Sequence, residues 1–148
     1  MGSFRQHYEA DTVDAALLLM PLMGFLPADH PRVRGTVAQI EHRLMINGFV
    51  YRFVCAEFPN QGTRPLGEEE GGFLMCTAWL AHVYALQGRR EEARAVLRRC
   101  ETLAGGLGLF AEAVDAREPA LLGNTPLAFS HAEYGKAALA MMEKNFRQ

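Results

Sequence analysis

Apolar residues recur along this chain in two alternating styles. Residues 13–25 and 71–86 are apolar on nearly every side, whereas 31–46 and 90–104 each carry a single apolar stripe. In the second segment Val33, Val37, Ile40 and Leu44 fall on one face. In the fourth, Ala93, Val96, Leu97, Cys100 and Leu103 point inward while Arg94, Arg98 and Glu101 face water. A fifth segment, 131–144, is mostly apolar through Ala137, Ala138, Leu139, Met141 and Met142. The spacing predicts about five helices and little or no regular strand. A helix that is apolar all round has to be covered on all sides, and an amphipathic helix covers it and faces solvent. The expected architecture is therefore all-α, with roughly three inner and two outer helices in alternation.

Local signals place the ends of these helices. Asp11 or Thr12 is the expected cap of the first, with Gly24 near its end. Asp29 and Pro31 open the second, and Asn47-Gly48 stops it. The long polar connections (6–11, 51–70 and 105–130) all precede the apolar helices, and those leading into the amphipathic ones are short. In an inner/outer arrangement the long loops open on one end, over the starts of the inner helices, where a site can form.

Composition narrows the chemistry. The 148 residues fit one domain spanning 1–148, and 49% are hydrophobic, enough for a sizeable core. A net charge of -2 with no basic face argues against nucleic acid. The three cysteines, Cys55, Cys76 and Cys100, form no CxxC pair, and the histidines show no ligand spacing, so no metal or other cofactor is expected. The apolar run 15–26 contains Pro21 and is too short to span a bilayer, and no signal-peptide pattern begins the chain. A cytoplasmic protein with no membrane partner is the expectation.

Five features are candidates for a site. Glu112, in the Gly- and Pro-punctuated stretch 105–130 beside Phe110 and Ala111, fits a general base, the alternative being a solvated loop carboxylate. Glu70 ends the run Glu68-Glu69-Glu70 beside Gly71-Gly72, where backbone could approach a ligand; a helix dipole also favours acids there. Arg52, between Tyr51 and Phe53, has a donor fork suited to hydroxyls, or is a surface arginine lying on those rings. Phe73 and Trp79 fit a sugar platform or the core. Ser130-His131 lacks a GxSxG elbow, and Ser130 reads more simply as a helix cap.

Several of these residues sit in linked motifs. They include Phe4-Arg5-Gln6-His7-Tyr8, the run 14–27, Asp29-His30-Pro31-Arg32-Val33-Arg34-Gly35-Thr36, Tyr51-Arg52-Phe53 and the run 70–80. Gly88-Arg89-Arg90-Glu91-Glu92-Ala93, Ala111-Glu112, Leu122-Gly123-Asn124 and Ala128-Phe129-Ser130-His131 complete the set. In this order the chain resembles the C-terminal part of the glucoamylase-type glycoside hydrolases of family 15, in the branch with bacterial glucoamylases, trehalases and glucodextranases.

The resemblance implies part of an (α/α)6 toroid and hydrolysis of an α-linked glucoside or oligosaccharide with inversion. It implies Glu112 as general base and Arg52 as a sugar-binding arginine, with Glu70 in the active-site loop. The family's general acid lies upstream of these segments in a Trp-Glu motif. The one tryptophan here, Trp79, belongs to another segment, so the chain is expected to carry only the general-base half of the site. The alternatives are a truncated or split-gene helical module that self-associates or binds sugar weakly without catalysis, or a different hydrolase chemistry around Ser130-His131. Half a toroid leaves inner-helix flanks bare, beyond the few hundred Å2 usual on monomers, so self-association as a homo-oligomer is expected.

Overall fold

The computed structural model describes residues 2–53 and 71–142. A 3-10 turn, Ala15–Leu18, runs into the short helix α1, Leu19–Leu22. Helices α2 (Pro31–Leu44), α3 (Leu74–Leu86), α4 (Arg90–Ala104) and α5 (Ala128–Met142) follow. The first helical segment is shorter than its apolar pattern predicts. Asp14, not Asp11 or Thr12, opens it, its Oδ1 accepting from the Ala16 N–H at 2.7 Å. The cap of α2 is also one residue later than expected, with His30 Nδ1 accepting from the Arg32 N–H and Pro31 in the first turn.

The layers follow the hydrophobic pattern. Helix α3 is buried on almost every side, from Leu74 through Cys76, Trp79 and Leu80 to Val83, Tyr84 and Ala85. Helices α2 and α4 bury one stripe each: Val33, Val37, Ile40 and Leu44 on α2, and Ala93, Val96, Leu97 and Cys100 on α4. These stripes meet α3 in one core, except Cys100, which joins Leu74 in a second cluster. At the far end of α3 the Tyr84 hydroxyl donates to Glu41 at 2.6 Å, and Arg89 both pairs with Glu41 at 2.8 Å and lies over the Tyr84 ring. Burial and the adjacent Glu41 push the Tyr84 hydroxyl well above its ordinary pKa. Helix α5 packs along α3 but buries only Ser130 and Ala137, leaving Phe129, Leu139 and Met142 at 67%, 61% and 52% exposure.

Among the described residues, five short strands correct the expectation of little or no regular strand. Asn47-Gly48 does not simply stop a helix. With φ of 49° and 85° it is a two-residue turn joining β1 (Met45–Ile46) to β2 (Phe49–Val50). A second sheet pairs β3 (Gly72–Phe73), β4 (Ala113–Asp115) and β5 (Ala120–Leu122) in antiparallel order. Phe73 lies opposite Ala113, and Ala113 opposite Leu122. At the β4–β5 turn Asp115 accepts from the Arg117 and Glu118 N–H groups, which holds its carboxyl below its usual range. The two sheets approach at Gly72, where a Cβ would stand 2.8 Å from the Phe49 Cβ. Strands of two or three residues cannot display a period of two, which is why the sequence pattern hides them.

Candidate active site

Two of the candidate residues, Glu112 and Phe73, stand together at the start of α3. Glu112 immediately precedes β4, and its carbonyl accepts from the Leu74 N–H at 3.1 Å. That bond, with the Phe73–Ala113 pairing, fixes Glu112 beside the first turn of α3 and next to Phe73. The chain before Glu112 is held from α5. Ser130, 1% exposed, donates its hydroxyl to the Ala111 carbonyl at 2.7 Å, and His131 Nε2 accepts from the Phe110 N–H at 3.0 Å. Ser130 lies inside the first turn of α5 and its hydroxyl caps no helix, contrary to the sequence reading. Both side chains are occupied in fixing the backbone that carries Glu112.

The carboxylate has its own support. Oε2 accepts from the side-chain amide of Asn124 at 2.8 Å and from its backbone N–H at 3.2 Å, while the Glu112 N–H donates to the Asn124 carbonyl at 2.9 Å. The preceding Gly123 has φ of 71°, and a Cβ there would stand 2.8 Å from Oε2. Glycine is thus needed twice, for its backbone conformation and for the space the carboxylate fills. Oε1 has no partner among the described residues. A carboxylate with one oxygen anchored and the other uncommitted can take a proton from a water.

Arg52 is held by a different set of contacts. It follows β2, and the Val50 N–H donates to the Thr77 hydroxyl within α3 at 2.9 Å. Arg52 Nε donates to Asp14 Oδ1 at 2.6 Å, and the Arg52 carbonyl accepts from the Ala15 N–H at 2.8 Å. The hydrogen bond and charge of Asp14 raise the already high guanidinium pKa, so the group stays ionised. The buried Cys76 thiol of α3 feels both charges, but burial dominates and pushes it up to about 12.

Sequence reasoning missed Asp14 as a partner, since nothing local links it to a residue 38 positions away. Phe73 is half-buried at the head of α3 and adjoins Glu112. Trp79 belongs to the core at 6% exposure. Glu70 and Cys55 lie outside the described residues. No cluster of metal-ligating side chains occurs among the described residues, and no described helix is long and apolar enough to cross a membrane.

Comparison with known proteins relates the chain to a family of glycosyl hydrolases. The family model for glycosyl hydrolases family 15 matches residues 1–100, a stretch holding Arg52, Glu70 and Phe73. The chain is 37% identical over 130 residues to a trehalase of Thermoplasma volcanium, covering 88% of this chain and 20% of that protein. It is 38% identical over 130 residues to a trehalase of Mycolicibacterium smegmatis, covering 88% of this chain and 19% of that one. Among solved structures, a wild-type glycosidase superposes with a TM-score of 0.76 at 23% identity, over 95% of this chain and 38% of its own. A bacterial glucoamylase complexed with acarbose superposes with a TM-score of 0.73 at 19% identity, over 90% of this chain and 21% of its own.

The chain belongs to glycosyl hydrolases family 15. Its fold is part of an (α/α)6 toroid, with inner and outer helices alternating and two small sheets at the head of α3. The chain spans about a fifth of the length of the curated relatives it matches.

Proposed function

We propose that this chain, as one domain forming the C-terminal part of a six-hairpin toroid, carries the general-base half of an inverting α-glucosidase site. Glu112 Oε1 takes a proton from the water that attacks the anomeric carbon, and the developing hydroxide displaces the glycosidic oxygen from the opposite face. Arg52 and Phe73 hold the glucosyl unit, with Glu70 contributing from the adjoining loop. The observation that carries this reading is the Glu112 carboxylate itself, anchored at Oε2 by Asn124 and uncommitted at Oε1. The leaving oxygen also needs a proton, and no Trp-Glu general-acid motif occurs in these 148 residues. A second carboxylate, from another segment or a second copy, has to supply it.

The substrate class is an α-linked glucoside, trehalose first, because the relatives at 37–38% identity are trehalases. The decisive experiment is hydrolysis of trehalose, maltose and an aryl α-glucoside by wild type and Glu112→Gln. Turnover abolished by that single change supports the reading; turnover surviving it defeats it.

A second reading is favoured by the apolar residues of α5. Phe129, Leu139 and Met142 fit a helical module that associates with other helices, including those of a second copy, without catalysing anything itself. A folded chain that hydrolyses none of the three substrates supports this second reading.

A further inference from the structure

We infer that Asp14 is the positioning residue of Arg52, selecting which edge of the guanidinium meets the sugar. The inference rests on the proposal that Arg52 binds a glucosyl unit. A guanidinium presents five N–H donors in a rigid plane, and the one it gives to a carboxylate decides which remain. Arg52 gives Nε alone, to Asp14 Oδ1 at 2.6 Å. Nη1 and Nη2 have no partner among the described residues. Their four N–H donors are left for a pair of neighbouring hydroxyls.

Both members of the pair are held before any ligand arrives. Asp14 lies in extended backbone, and its Oδ1 also accepts from the Ala16 N–H at the opening of the 3-10 turn. Arg52 is fixed by its carbonyl on the Ala15 N–H and by an antiparallel bridge between Asp14 and Phe53. The Asp14 side chain is 16% exposed and that of Arg52 is 42% exposed. The carboxylate is thus the enclosed member and the guanidinium the one that reaches solvent. Fixing a long, flexible arginine beforehand removes the ordering cost that a sugar would otherwise bear on binding.

The test uses the intact chain with glucose as the probe. Asp14→Asn keeps an oxygen for the Ala16 N–H but removes the charge that holds Arg52. Its unfolding midpoint is expected to match wild type, its glucose affinity by NMR titration to fall roughly three- to tenfold, and its Arg52 Nε–H to exchange faster with water. Asp14→Ala removes both bonds and is expected to lower the affinity at least as far. Wild-type affinity in Asp14→Asn, or Arg52 Nε–H exchange as fast in wild type as in Asp14→Ala, overturns the role of Asp14 alone. A wild-type chain that takes up no glucose overturns the sugar-binding reading itself, and with it the ligand assigned to this edge.

Discussion

Asn124 donates from two nitrogens to one oxygen of Glu112, and through its carbonyl takes the Glu112 N–H in return. The two residues are twelve positions apart and close a reciprocal loop around the carboxylate. Asn124→Ala is expected to cost about 1 kcal/mol of folding stability through the lost amide bond. Asn124→Asp is expected to cost more than Asn124→Ala at pH 7, since it sets two carboxylates against each other. Urea unfolding of both variants at pH 7 measures this, and equal losses for the two would contradict it.

Gly123→Ala tests the space beside that carboxylate. The added methyl meets Oε2 at 2.8 Å on a backbone with φ of 71°. The expected loss is roughly 1–3 kcal/mol, with displacement of the Glu112 side chain in a crystal structure of the variant. A neutral substitution would mean that the carboxylate is held more loosely than the hydrogen bonds imply.

Ser130→Ala removes the donor to the Ala111 carbonyl at a site that is 1% exposed. A buried acceptor left without a partner costs about 1–3 kcal/mol. The stretch before Glu112 is expected to lose amide-exchange protection with it, Phe110 first. Unchanged protection at Phe110 would show that His131 suffices to hold this backbone.

The buried thiols set an alkaline limit. Burial raises both Cys76 and Cys100 from 9.0 to about 12. The folded state therefore retains protons that the unfolded chain releases above about pH 9. Stability from these groups is fully present below that pH and falls as pH climbs toward 12, by up to about 1.4 kcal/mol per pH unit for each thiol. Thermal unfolding at pH 7, 9 and 10.5 reads the trend. Peptide mapping after iodoacetamide at pH 8 is expected to find both residues unmodified in the native protein and modified in denaturant.

Self-association can be judged by light scattering. Leu139→Lys on the exposed side of α5 is expected to shift the mass toward the monomer, because it replaces an exposed apolar side chain with a charge. A wild-type chain that is already monomeric at high concentration would remove self-association from the account.

The helical layers were legible because their signal is long. Val33, Val37, Ile40 and Leu44 span about three turns, and each is buried where the stripe puts it. The uniform apolarity of α3 likewise foretold a helix covered on all sides. The strands were not legible, and Asn47-Gly48 shows why. The same two residues can end a helix or turn a hairpin, and the strands beside them are too short to decide. Glu112 stood out by its setting, and Arg52 by its neighbours and its family motif. Their supports did not, because Asp14, Asn124 and Ser130 act across 38, 12 and 19 positions through contacts that only the folded chain creates.

Gly72 acquires a further meaning from its contact with Phe49. On one flank runs the strand that delivers Arg52; on the other runs the strand that follows Glu112. The missing side chain works as a spacer of zero thickness, so the gauge between the two strands is set by bare backbone. Even a methyl inserted there would act as a wedge, prising the Phe49 strand away from the strand that leads into α3.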